Sequence, residues 1–176
     1  MNELFSYYGL IINNILYILA SKRIVRYKVY KFMIIRFIVD NFLSFDKETE
    51  FNMIAGNFKI HQNHVYKYGK IDILKSSAVY GANASGKSNL IKAIFTMQQI
   101  IKKGKINKSI KTEKFKLNPE NISKPTIFEI EIVVDKHFYN YGFSFENDII
   151  TEEWLYETGA SKPKMIFTRE LLKNGQ

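Results

Sequence analysis

The chain of 176 residues contains no cysteine. That excludes disulfides and thiolate metal sites together, and it suits a reducing compartment, the cytoplasm. Acidic residues are scarce as well: 17 Asp and Glu stand against 26 Lys and Arg, for a net charge of +9. The excess lies in two stretches, Lys22 to Arg36 and Lys102 to Lys116. In the second, Glu113 is the one acid among seven lysines, and a solvated face is the ordinary reading of such a run. A basic surface can also meet nucleic acid or anionic lipid. Heavy use of Ile, Asn, Lys and Tyr is equally what an AT-rich genome imposes, so charge by itself assigns no nucleic-acid partner. His61 and His64 stand three apart in a polar stretch with no third ligand nearby in sequence. Solvated loop histidines are the expectation there.

Long uncharged runs are confined to the N-terminus. Leu4 to Ser21 carries no charge, and Lys22, Arg23, Arg26, Lys28 and Lys31 follow at once. Basic residues after the run, instead of before it, argue against a secretory signal. Residues 1–32 then have two readings. One is a short membrane anchor through residues 4–20 with a cytoplasmic basic flank. The other is translated upstream sequence, with the real start at Met33. A length at the lower limit for a span, and Asn13-Asn14 at its centre, favour the second. A chain of 176 residues is long enough for one domain with a real core, and residues 33–176 are the part read below as the N-terminal, incomplete lobe of such a domain.

Within that domain, Gly81-Ala82-Asn83-Ala84-Ser85-Gly86-Lys87-Ser88 fits G-x-x-x-x-G-K-[ST], the phosphate-binding P-loop. Gly81 and Gly86 let the backbone turn and approach a phosphate closely. The amides of Ala84 to Ser88 can form a nest for the β-phosphate, aided by the positive end of the next helix. Lys87 would place a compact charge between the β- and γ-phosphates, and the Ser88 hydroxyl would ligate Mg²⁺. With Asn89, residues 81–89 are the candidate nucleotide-binding set. Ser76 to Tyr80 reads as a small-residue strand buried on both faces. Leu90, Ile94, Met97 and Ile101 mark one stripe of the following helix, and Lys102-Lys103-Gly104 its end.

The flanks read as antiparallel strands. Ile35, Phe37 and Val39 alternate with Arg36, Ile38 and Asp40, and Glu48 to Ile54 resumes an extended pattern after a turn. Asn57 to Lys70 is polar and reads as a loop, and Ile71 to Leu74 re-enters the fold. Phe128 to Val134, Tyr139 to Phe145, Ile149 to Tyr156 and Lys164 to Thr168 form a meander.

Several absences narrow the class. Asn107-Lys108-Ser109-Ile110 lacks the aspartate of a guanine-reading N-K-x-D motif. Ile130 to Asp135 has the outline of an acid-bearing Walker B strand, but Glu131 interrupts it, no second acid follows Asp135, and Lys136-His137 suits a hairpin turn. Leu172 to Gln176 echoes a signature loop without its serine.

Six stretches carry a family resemblance: Met33 to Phe45 (MIIRFIVDNFLSF), Phe51 to Gly56 (FNMIAG), Asn63-His64-Val65, Leu74-Lys75-Ser76, Tyr80 to Leu90 (YGANASGKSNL) and Glu153 to Tyr156 (EWLY). From Met33 to about Arg169 the chain resembles the AAA-annotated prokaryotic ATP-binding proteins. These have an ABC-type ATPase head akin to RecF, SMC and OLD-family proteins, and many are linked to abortive infection or phage defence. The resemblance implies an α/β P-loop NTPase fold. The chain would be the first lobe of an ABC-type head, with P-loop strand and helix beside an antiparallel β-subdomain. It implies ATP and Mg²⁺ as cofactors, Lys87 as the catalytic contribution of this chain, and the turn Asn41 to Ser44 near the base or ribose. It also implies a later lobe carrying the Walker B acid, the catalytic glutamate and the signature loop. Two functions follow: an ATPase joined by ATP into a head-to-head homodimer, or a truncated, non-catalytic nucleotide-binding fragment or module that needs a partner.

Overall fold

Alternation of apolar and polar residues turns directly into sheet. The computed structural model describes residues 32–57, 60–69, 71–106, 112–159 and 162–171. Strands β1 (Phe32–Asp40), β2 (Thr49–Asn52), β5 (Thr126–Val134), β6 (His137–Glu146), β7 (Ile149–Thr158) and β8 (Lys164–Glu170) form one sheet in the order β2-β1-β5-β6-β7-β8. Every pairing in it is antiparallel. Two of its connections are two-residue loops, Asp135-Lys136 and Asn147-Asp148, in which both residues have positive φ. Such loops match the twist of the strands they join.

One face of this sheet receives helix α1 (Lys87–Lys103). Ala93, Met97 and Ile100 bury themselves among Phe37, Val39, Phe128, Ile130 and Phe143. The stripe expected from the sequence is present, with its centre on Ala93 and Ile100; Leu90, Ile94 and Ile101 pack at its margins. Each large apolar side chain removed from water there contributes about 1.5–3 kcal/mol. Gly104, at φ 63, ends the helix.

The opposite face carries a second, smaller cluster of Ile35, Ile73 and Val133. It is covered by a two-stranded hairpin of β3 (Val65–Tyr68) and β4 (Ile71–Leu74). The simple alternation in β1 fails here: a bulge between Ile34 and Arg36 sends Ile35 to this second cluster while Phe37 and Val39 face α1. The polar loop expected over Asn57 to Lys70 also needs correction, since it holds a 3-10 turn (Gln62–His64) and all of β3. Tyr66 and Tyr68 supply the β-forming side chains that the surrounding polarity concealed.

A larger correction concerns Ser76 to Tyr80. No strand forms there, and the segment is exposed, with Val79 at 49% and Tyr80 at 89% accessibility. A strand buried on both faces needs parallel neighbours to take its backbone hydrogen bonds. Among the described strands every pairing is antiparallel and none lies beside this segment. Of residues 1–32, assigned above to an extension, Phe32 opens β1 and the rest lie outside the described residues, as do Asn107 to Ile110 and Leu172 to Gln176.

The far end of β1 is pinned by one side chain. Asn41 is 1% exposed, at φ 50. Its Nδ2 donates to the carbonyls of Asn121, Lys124 and Pro125 at 2.8, 2.9 and 3.3 Å, and its Oδ1 accepts from Phe115 N at 3.2 Å. Asn41→Ala strands these groups in the interior and is expected to destabilise the fold by about 2–4 kcal/mol. Urea unfolding checks this through a lower midpoint at unchanged slope; a midpoint equal to that of the native chain would contradict the pinning role.

Candidate phosphate-binding site

The P-loop is built by two left-handed residues and a helix start. Ala84 has φ 65 and Gly86 φ 89, and Ser85 N donates to Ala82 O at 3.2 Å, closing a tight turn. Gly86 is the residue before α1, and no side chain caps the helix. Asn89 N and Leu90 N already donate to Gly86 O. The first amides of α1 are therefore those that helix geometry leaves for an anion. No acidic residue lies in the first turn to compete.

Lys87 folds back across the loop. Its Nζ donates to Gly81 O at 2.7 Å, to Ala82 O at 2.6 Å and to Ser85 Oγ at 3.3 Å. The ammonium thus spans the loop mouth, satisfied by carbonyls that an incoming phosphate would replace as its partner. At Gly81 an added Cβ would sit 2.6 Å from Ser85 Oγ, so that hydroxyl would have to turn away from the loop. At Gly86 a Cβ would meet Ser44 Oγ at 2.8 Å, in a backbone conformation that L-residues rarely adopt. The structure brings Gly81, Ala82, Asn83, Ala84, Ser85, Gly86, Lys87, Ser88 and Asn89 together at one loop–helix junction, with Ser88 exposed.

Beyond that junction lies a cavity of about 320 Å³ lined by Leu43, Ser44, Asn89 and the stretch Glu113 to Leu117. The turn Asn41 to Ser44, expected near the base or ribose, divides between this cavity and the interior. Leu43 and Ser44 line the cavity, whereas the Asn41 carboxamide is consumed inside the fold. Of the stretch Glu113 to Leu117, Glu113 to Lys116 belongs to the run Lys102 to Lys116, whose ordinary reading is a solvated lysine face. Leu43 N bonds to Glu113 O at 2.8 Å, a contact across 70 positions that no local pattern announces.

Asp135 ends up elsewhere. In the β1–β5 register Phe32 faces Val134 while Asp40 faces Ile127. Asp135 therefore sits beyond one end of β1 and Ser44, against Gly86, beyond the other. A nine-residue strand at about 3.3 Å per residue separates them by roughly 25 Å. The hairpin turn expected at Asp135-Lys136 is what the structure contains.

With this geometry in view, the family model described as "AAA domain, putative AbiEii toxin, Type IV TA system" matches residues 76–176, more than half of the chain. The chain belongs to this family. It is a member of an abortive-infection-type family of AAA ATPases, with a P-loop NTPase domain of mixed α/β structure in which the described sheet is antiparallel. No curated protein and no solved structure matches it. The AbiEii-type match opens at Ser76, so it takes in the P-loop, α1 and the meander and leaves β1 to β4 outside. Among the described residues no helix is long and apolar enough to cross a membrane, and residues 4–20 lie outside that set.

Two glycine variants separate loop geometry from stability. Gly86 and Gly104 both have positive φ, so alanine at either costs about 1 kcal/mol. Gly104 has nothing within 4 Å of an added Cβ, and Gly104→Ala is expected to lower the melting temperature and leave nucleotide binding intact. Gly86→Ala is expected to weaken binding of a fluorescent nucleotide at least about tenfold, since the loop must shift off Ser44. Equal affinities for the two variants would show that the loop tolerates the shift.

Proposed function

We propose that this AbiEii-type chain binds Mg-ATP at residues 81–89, as the first lobe of an ABC- or SMC-like ATPase head serving a prokaryotic defence system. The observation that carries this reading is the junction itself: an uncapped helix start, two left-handed loop residues and Lys87 bridging the loop carbonyls. Phosphates would take the amides at the start of α1 and the Lys87 ammonium, with the Asn89 end of the junction leading toward the nucleoside. Ser88 suits one oxygen position on Mg²⁺, and the metal would neutralise charge building on the transferred phosphoryl group. The base and ribose would enter the cavity of Leu43, Ser44 and Glu113 to Leu117, where Leu43, Phe115 and Leu117 offer apolar walls.

Hydrolysis needs an acid to hold the metal and a base to orient water. Among the described residues Asp135 is the one that had the outline of that acid, and the register sets it far from Ser88. The missing groups would come from a second lobe or from the facing copy of a head-to-head dimer. The exposed apolar set of Val79, Tyr80, Ile91 and Phe95 beside the P-loop supports a cover of that kind. The second reading, a non-catalytic nucleotide-binding module, rests on the same absence.

Nucleotide titration with turnover measured on the same sample tests both. Magnesium-dependent ATP binding is expected, weakened about a hundredfold or more by Lys87→Ala. Turnover by this chain alone is expected at background, and Asp135→Asn is expected to change neither quantity. Binding indifferent to Lys87→Ala would sink the Mg-ATP reading. Turnover abolished by Asp135→Asn would sink the requirement for a second lobe or partner.

A further inference from the structure

The hairpin that covers the second sheet face carries a feature the nucleotide reading does not use. The 3-10 turn Gln62–His64 is entered through His61, which adopts φ 59 and ψ 35 and accepts a hydrogen bond from His64 N at 2.9 Å. That bond closes the turn across His61 and His64 and brings the two ends of the 3-10 segment together. The two imidazoles stand 5.8 Å apart between centroids, at 88° to each other. Both are exposed, and among the described residues neither ring is committed to a hydrogen bond or an ion pair.

We propose that His61 and His64 form a two-imidazole chelate for a borderline divalent metal ion such as Zn²⁺, Ni²⁺ or Cu²⁺. A metal–nitrogen bond of about 2.0–2.1 Å places each ring centroid about 3.2 Å from a shared ion, so two rings on one ion stand roughly 5–6.5 Å apart. The observed separation falls inside that range. Both histidines line a cavity of about 240 Å³ that Asp72 and Gln62 also line. Among the described residues no group of three or more His, Cys, Asp or Glu has metal-holding geometry. The ion would thus take two protein nitrogens and keep water in its other positions, an open site unlike a closed structural one.

The site is tied to the segment that enters the P-loop. Lys75 N donates to His64 O at 2.9 Å, the Lys75 Nζ donates to Asn63 O and lies 4.6 Å from the centre of the Tyr66 ring. Residues 75–80 run from there to Gly81. An ion fixed on the turn would stiffen the entry to the phosphate site from outside it.

Calorimetric titration of the untagged full chain with zinc or nickel chloride tests the proposal, with cobalt absorption as a second readout of nitrogen coordination. One ion per chain is expected, with His61→Ala and His64→Ala each weakening it about tenfold or more. The third histidine, His137, is paired with Glu157 on another hairpin, so His137→Ala is expected to leave the titration unchanged. The exposure of both rings makes the alanine variants compatible with folding, and circular dichroism with His61→Gln and His64→Gln provides the control. No uptake by the native chain, or equal uptake by the variant lacking both His61 and His64, would overturn the proposal.

Discussion

The buried carboxamide of Asn41 fixes where the candidate phosphate site can be. It ends β1, takes three carbonyls of the segment before β5 and receives the amide of Phe115. Thr126 adds a bond from its hydroxyl to Asn41 O at 2.9 Å, and Asn121 holds Asp46 from the other side. Inside a protein such a network is strong where its members are satisfied; the Asn41 carboxamide is satisfied at both ends, while among the described residues Asn121 Oδ1 is buried without a partner. Here the network aims the turn Phe42 to Phe45, so that Ser44 comes to rest against Gly86 and Leu43 against Glu113. The left-handed backbone at Asn41 is tolerated because asparagine bonds locally and accepts αL better than most residues.

The second constraint is the docking of α1. Its inner side is fixed by Ala93, Met97 and Ile100 on the sheet, so the helix start and the P-loop are presented at a set position. Its outer side is less settled, with Ile91 at 67% and Phe95 at 58% accessibility. Together with the unpaired Ser76 to Tyr80 segment, this side has the composition of an interior without the layer that would make it one. The phosphate loop itself does not depend on that layer. Its turn, the Lys87 bridge and the helix start are all local.

The polar side chains of the sheet's other face explain another part of the pattern. Arg36 is held by both oxygens of Glu131 at 2.7 Å, which raises its already high pKa. Trp154 lies over Gly142, where a Cβ would come within 2.4 Å of the indole, and donates to Asn140. On the helix side, Tyr141 donates to Glu153, and burial with that neighbouring charge pushes its phenol well above the ordinary value. Glu153 to Tyr156, singled out by its resemblance, therefore has structural work in β7 on both faces of the sheet.

What the sequence determined by itself was everything carried by short-range chemistry. The P-loop glycines, the Lys87-Ser88 pair, the stripe of α1, the stop at Gly104 and the strands of the meander depend on spacing within a turn or a few residues, and they were legible. Ser76 to Tyr80 was misread because a doubly buried strand is a property of its neighbours. The β3 strand was missed because its tyrosines sit in polar surroundings. Only the tertiary structure decided that Ile35 leaves the main core through a bulge, and that Asp135 lies at the far end of β1. It also decided that Asn41 is a structural pin while Ser44 and Glu113 to Leu117 border the phosphate loop. Those facts are set by register and by contacts across 70 or more positions, such as Leu43 N to Glu113 O, and a pairwise contact of that range leaves no periodicity to read.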